Sequence, residues 1–189
     1  MESLFNFQPK FPDGFTYIPD FLNGEDEENL LRDISKISLH TFLFQGYEAK
    51  RKVASFGYNY SFEKRSISQG PHIPEEFKWL VDKVKMASGG TTEFVALLIT
   101  EYPVGSVINW HRDAPPFETI AGISLLSDCT FRFRPYDQSQ RGRKSIISFE
   151  AKRRSLYFME KDSRSQWEHS ILPVTATRYS ITLRSLQKK

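Results

Sequence analysis

Trp110-His111-Arg112-Asp113 sets an imidazole and a carboxylate one residue apart, two side chains that together bind first-row metal ions at neutral pH. On an extended segment alternate side chains point the same way, so His111 and Asp113 would chelate one ion from a single strand. Two imidazoles and one carboxylate fill one face of a six-coordinate iron and leave the opposite positions open. His169 is the candidate for the third ligand. With four histidines in the chain, an isolated HxD pair also arises by chance. His40 and His72 have no partner pattern and read as structural or surface residues.

The second chemical stretch is Arg178-Tyr179-Ser180-Ile181-Thr182-Leu183-Arg184. As a strand it shows Arg178, Ser180, Thr182 and Arg184 on one face and Tyr179, Ile181 and Leu183 on the other. The polar face is either wet or turned inward towards a small dianion. Two arginines suit the second task, because a guanidinium holds a carboxylate bidentately and stays charged when partly buried.

The rest of the chain must position these groups. Its 189 residues fit one domain, with 39% hydrophobic and 26% charged residues, the balance of a soluble globular protein. The net charge of +3 permits nucleic-acid binding without arguing for it. The single cysteine, Cys129, excludes an intrachain disulfide and a zinc ribbon, fits a reducing cytoplasm, and reads as a small buried hydrophobe. The N-terminus lacks the pattern of a secretory signal, and no apolar run approaches the roughly 20 residues that cross a bilayer.

Residues 1–22, rich in aromatics and prolines, predict an irregular lead-in and a strand over Phe15 to Ile18. Acidic Glu25 to Glu28, followed by Leu30, Leu31, Ile34 and Ile37, predict a helix. Residues 46–65 interleave Lys50, Arg51 and Lys52 with Phe56, Tyr58 and Tyr60 in an extended pattern. This is either a hairpin with a solvated basic face or a surface for single-stranded nucleic acid, charge for phosphates and rings for bases. Pro74 opens a second helix through Phe77, Leu80, Val81 and Val84, which Gly89-Gly90 ends. From Phe94 the chain reads as seven or eight short strands with turn signals between them. The predicted class is α+β, mainly β, an antiparallel sandwich or jelly roll with the helices packed outside. Residues 1–93 would hold the helices and hairpin, and residues 94–189 the catalytic core. The polar run Tyr136 to Lys144 reads as an exposed hairpin tip.

His111-x-Asp113, His169 and Arg178-x-Ser-x-Thr-x-Arg184, in this order, resemble the AlkB family of Fe(II)- and 2-oxoglutarate-dependent dioxygenases. The resemblance implies a double-stranded β-helix with His111, Asp113 and His169 as iron ligands. It implies that Arg178 pairs with the distal carboxylate of 2-oxoglutarate, helped by Tyr102 and Ser180. Arg184 would lie near the metal-binding end of the cosubstrate and the aspartate ligand. The hairpin around Phe56-Gly57-Tyr58 lies where the family has a nucleotide-recognition lid, so Phe56, Tyr58 and Arg51 are the candidate substrate contacts. Three positions depart from the family's pattern. Thr100 replaces an Asn that contacts the cosubstrate, Pro115 stands where some members read the base with an acidic residue, and Ser170 replaces a Gly.

The implied reaction uses Fe(II), 2-oxoglutarate and O2 to hydroxylate an N-methyl group on a base, with release of formaldehyde, succinate and CO2. The expected partner is methylated single-stranded DNA or RNA, with the base flipped out of its stack. The protein would be a cytoplasmic or, in a eukaryote, nuclear monomer with no membrane partner. Two other readings remain: a 2-oxoglutarate-dependent hydroxylase of a protein or small molecule, and a non-catalytic jelly-roll binding protein.

Overall fold

In the computed structural model, which describes residues 10–44, 47–61 and 63–187, the strands of the second half trade places between two sheets. The chain begins with β1 (Phe15–Ile18), α1 (Gly24–Ile34), β2 (His40–Phe44), β3 (Tyr47–Ser61), β4 (Ser66–Gln69) and α2 (Lys78–Ala87). It continues with β5 (Phe94–Tyr102), β6 (Ile108–His111), β7 (Phe117–Leu125), β8 (Cys129–Pro135), β9 (Ile147–Ala151) and β10 (Leu156–Met159). A short α3 (Lys161–Ser165), β11 (Trp167–Ile171) and β12 (Arg178–Leu186) follow. Phe5 and Phe7 of the lead-in and Gly46 of the aromatic-basic stretch lie outside the described residues.

The larger sheet runs β1-β10-β7-β12-β5-β3-β2, with β4 on β3, and the smaller runs β6-β11-β8-β9. From β5 to β12, four strands of the larger sheet face the four of the smaller one. This is the jelly roll expected from the strand count. One face of the larger sheet is covered by the helices, where Leu30, Ile34, Phe77, Leu80 and Val84 meet Leu97, Ile99, Ile123, Ile181 and Leu183. The other faces the smaller sheet across Phe131, Phe133, Tyr157, Met159 and Tyr102. Strands β5, β7 and β12 are therefore apolar on the helix side and mixed on the inner side.

Local chemistry sets the helix ends. Asn23 accepts from the Asp26 N–H at 2.7 Å, and Asp26 in return accepts from the Asn23 N–H, so two donors at the α1 terminus are satisfied reciprocally. The helix stops at Ile34, one turn short of Ile37, which still packs against the helix-side core. The second predicted helix is a 3-10 turn over Glu75–Phe77 running into α2, and both Gly89 and Gly90 take positive φ just past its end. Buried Glu27 ties α1 to the jelly roll by accepting from the Leu126 N–H at 2.8 Å and from the Arg153 guanidinium.

Residues 47–61 are extended, as their pattern predicts, but as one long strand shared between two hairpins rather than as a hairpin of their own. Gly57 breaks its alternation with a φ of +76°. A Cβ there would lie 2.0 Å from the Val95 carbonyl oxygen, so this close approach requires glycine. Phe56 consequently packs on the helix side, whereas Tyr58 and Tyr60 pack on the inner side. This corrects the expectation that Phe56 and Tyr58 share a face towards substrate: strict alternation does not pass through a left-handed residue.

Candidate active site

β6 and β11 are antiparallel neighbours with His169 opposite His111. Their imidazoles come together with ring centroids 4.2 Å apart. Asp113 is not on the strand. β6 ends at His111, and the following coil turns the carboxylate back towards both rings. This corrects the expectation that both ligands stand on a single strand, while their side chains do reach one point. One ligand atom from each of His111, Asp113 and His169 lies within 4.8 Å of the others, the only such group among the described residues. His169 Nε2 and Asp113 Oδ2 are 3.6 Å apart, a gap that two metal–ligand bonds of about 2.1 Å can bridge.

Each donor is oriented by its surroundings. His111 Nδ1 lies 2.9 Å from the Asn109 carbonyl oxygen, which requires the proton on Nδ1 and leaves Nε2 with its lone pair. The His169 ring is stacked on Phe131, 7° from parallel at 5.4 Å. Asp113 Oδ2 is buried without a hydrogen-bond donor, and Oδ1 lies 3.7 Å from the Arg184 guanidinium. A buried carboxylate oxygen with no donor suits the coordination of a cation.

The protonation states suit a metal as well. Burial alone would raise the Asp113 carboxyl, but His169, Arg184, His111 and Arg164 outweigh it and hold it at about 2. Burial, reinforced by the charge of His111, pushes the His169 imidazole down to about 3, against the pull of Asp113. At neutral pH the carboxylate is ionised and His169 is neutral, the forms that coordinate.

Behind the triad, β12 turns its polar face inward. Arg178 is 1% exposed, its Nε donates to Ser124 Oγ at 3.0 Å, and its guanidinium lies over the Tyr102 ring at 4.9 Å. Its Nη1 is buried without a hydrogen-bond partner, and no carboxylate among the described residues pairs with it. Burial disfavours the charge, but Cys129, Tyr102 and Tyr157 outweigh it and raise the guanidinium above its ordinary value, so a free Nη1 donor is left on a charged group. Ser180 Oγ is 3.5 Å from the Tyr102 hydroxyl, and Arg184 packs over Phe117. The triad, Tyr102, Arg178, Ser180 and Arg184 thus lie on the facing inner sides of the two sheets, with Tyr157 near enough to feel both Arg178 and Asp113.

The remaining candidates divide. Arg51 is on the inner face of β3, where its charge faces Tyr102 and burial lowers its guanidinium from the ordinary value. Lys52 points the other way and pairs with Glu101 at 3.8 Å. His40 and His72 are exposed and away from the triad. Trp110 lies on the outer face of the smaller sheet against Arg132 and Arg134, and Glu168 pairs with Arg134 and Arg141 on that face. Thr100 sits opposite Ser180 in the β5–β12 register, Ser170 accepts from Arg132 Nε, and Pro115 is exposed in the turn after Asp113. Cys129 is buried in the inner core, as a small hydrophobe would be.

Sequence reasoning missed Ser124, which aims Arg178, and Arg164, which approaches Asp113 from α3. Neither belongs to a periodic pattern or a motif. Only the crossing of the chain between sheets brings them to the site.

The sequence profile of the 2OG-Fe(II) oxygenase superfamily matches residues 14–184. No curated protein matches the chain by sequence. Among solved structures, that of OsALKBH1 matches with a TM-score of 0.72 and 17% identity, covering 94% of this chain and 99% of the other. A prolyl hydroxylase from Trichoplax adhaerens, in complex with a hypoxia inducible factor oxygen degradation domain peptide fragment, matches with a TM-score of 0.64 and 16% identity. That match covers 92% of this chain and 83% of the other. Both likenesses are likenesses of fold.

Proposed function

Because the chain belongs to the 2OG-Fe(II) oxygenase superfamily, and so uses Fe(II), 2-oxoglutarate and O2, we propose that it oxidatively demethylates N-alkylated bases in single-stranded DNA or RNA. In this reading His111, Asp113 and His169 hold the iron. The observation that supports the substrate choice is the inner face of β3, where Arg51 lies beside Tyr102 and the rings of Tyr58 and Tyr60 pack against the same inner core. Charge for phosphate and rings for bases along one strand face suit single-stranded nucleic acid. The AlkB-like fold, shared with OsALKBH1, supports the same choice.

Bound iron with its cosubstrate supplies oxidative decarboxylation coupled to hydroxylation of a C–H bond; an N-hydroxymethyl product then releases formaldehyde and frees the base. The chain's own groups do the positioning. Arg178 and the Tyr102 hydroxyl bind the remote carboxylate of 2-oxoglutarate, with Ser180 adding a hydrogen bond. Arg184 steadies the Asp113 carboxylate, and the Asn109 carbonyl fixes the His111 tautomer. No protein acid or base is required for the oxidation.

A second reading, hydroxylation of a peptide, is favoured by the likeness to the prolyl hydroxylase. One experiment separates the two. Iron-reconstituted protein is given 2-oxoglutarate, oxygen and an oligonucleotide carrying one 1-methyladenine or 3-methylcytosine, and succinate and the base are followed by mass spectrometry. Loss of methyl matched by succinate is the expected result. Succinate without demethylation would reject nucleic acid and leave the peptide reading. Neither product, from protein that holds iron, would return the chain to the class of binding proteins.

A further inference from the structure

Asp113 is the one member of the triad that no strand holds. Residues 112–116 lie between β6 and β7, and Pro115 and Pro116 remove two N–H donors from that segment. Backbone bonds from the Phe117 N–H to the Ala114 carbonyl and from the Gln187 N–H to the Pro116 carbonyl hold its far end, and its links to α3 are a crossed pair. Arg112 Nη1 donates to the Ser165 carbonyl at 2.8 Å, and Arg164 Nη2 donates to the Ala114 carbonyl. The residues on either side of Asp113 are thereby each tied to α3, one bond running in each direction.

The far end of the pair is itself fixed. Ser163 is fully buried and its N–H donates to the Asp13 carbonyl at 2.8 Å. The Glu160 N–H donates to the Gly14 carbonyl at 3.0 Å, and its carboxylate accepts from Thr119 Oγ1 at 2.9 Å. Arg112 is held from a third side by stacking on Tyr136, with 3.5 Å between guanidinium carbon and ring centroid. The helix is a peg between β1 and β7, and the two arginines hang the Asp113 segment from it.

We propose that Arg112 and Arg164 are positioning residues that clamp the Asp113 segment to α3 and so hold its carboxylate in place for the metal. The inference rests on the assignment of His111, Asp113 and His169 as metal ligands. A carboxylate on an untethered coil must lose its freedom when the ion binds, whereas one already held loses little.

The test uses Mn(II), redox-inert here, titrated into the whole protein with excess 2-oxoglutarate, while free ion is read by electron paramagnetic resonance. Arg164→Met and Arg112→Leu are each expected to raise the Mn(II) Kd by about 10- to 100-fold. The double variant should be no weaker than the product of the two and closer to the worse single, because both act through one segment. Arg164→Lys, which can still donate to the Ala114 carbonyl, should recover most of the affinity. In turnover at saturating Fe(II) the KM for 2-oxoglutarate should stay near wild type. If both single variants keep a Kd within about twofold of wild type while melting earlier, the pair is structural and the proposal falls. If Arg164→Met does not fold, the exposed Arg112→Leu decides by the same criterion. Wild-type protein that binds no Mn(II) or Fe(II) would overturn the metal assignment itself, an outcome distinct from equal binding by all variants.

Discussion

In the proposed site Arg178 is the residue that meets the remote carboxylate of the cosubstrate. Its guanidinium is 1% exposed, bonded to Ser124 and, against the cost of burial, held charged by Cys129, Tyr102 and Tyr157, while Nη1 still has no hydrogen-bond partner. Arg178→Ala should therefore raise the KM for 2-oxoglutarate about 10- to 100-fold, the usual size of a charged hydrogen bond, while kcat at saturation falls less. An unchanged KM would remove Arg178 from the cosubstrate site. His169 makes a second residue-level forecast. Its pKa falls from 6.5 to about 3 in the folded chain, so below pH 6.5 the unfolded state binds the extra proton. Metal-free protein should then lose stability as pH drops from about 6.5 towards 3, by about 2 kcal/mol at pH 5. Asp113 adds the same sign lower down, between 3.8 and about 2. Urea melts of the metal-free His169→Gln variant should show a shallower decline from pH 6.5 to 5; a slope equal to wild type would show that His169 is not the titrating group.

The decisive element is β3. Its two faces look into different compartments, so adjacent basic residues have different fates: Arg51 faces Tyr102 on the inner side, and Lys52 faces Glu101 under the helices. This splits what composition presents as one basic patch. In the nucleic-acid reading, Arg51→Gln should weaken oligonucleotide binding and reduce the slope of log affinity against log salt by about 0.7, one phosphate contact on a single strand. Lys52→Gln should leave that slope alone. Equal effects from both would mean that the strand carries a diffuse charged surface instead of a directed contact.

At the level of the whole molecule, the site is assembled from β5, β6, β11, β12 and the coil after β6, members of both sheets. Ligands that join such elements stabilise the entire fold by mass action. Mn(II) and 2-oxoglutarate, each at about 100 times its Kd and each adding about 2.7 kcal/mol, should together add about 5 kcal/mol and raise the Tm by about 10–20 °C. Either alone should do less. A Tm indifferent to both would contradict a site built across the two sheets.

Much of this was legible in the residues. The ligand types, the two-residue period that gathers Arg178, Ser180, Thr182 and Arg184, and the cap signals around α1 and α2 are local, and local geometry translates them directly into faces and ends. Three matters were decided only by the tertiary structure. Asp113 reaches the metal position from a coil, because β6 stops at His111 and the chain must turn to enter β7 in the other sheet. Phe56 faces the helices and Tyr58 the inner core, because a single left-handed residue reverses the parity on which alternation depends. Ser124 and Arg164 come to the site through contacts between residues distant in the chain, 54 positions for Ser124–Arg178 and 50 for Arg164–Ala114. A pattern along the chain carries which side chains share a strand face. It does not carry which strands will meet, since that is settled by the packing of the two sheets as a whole.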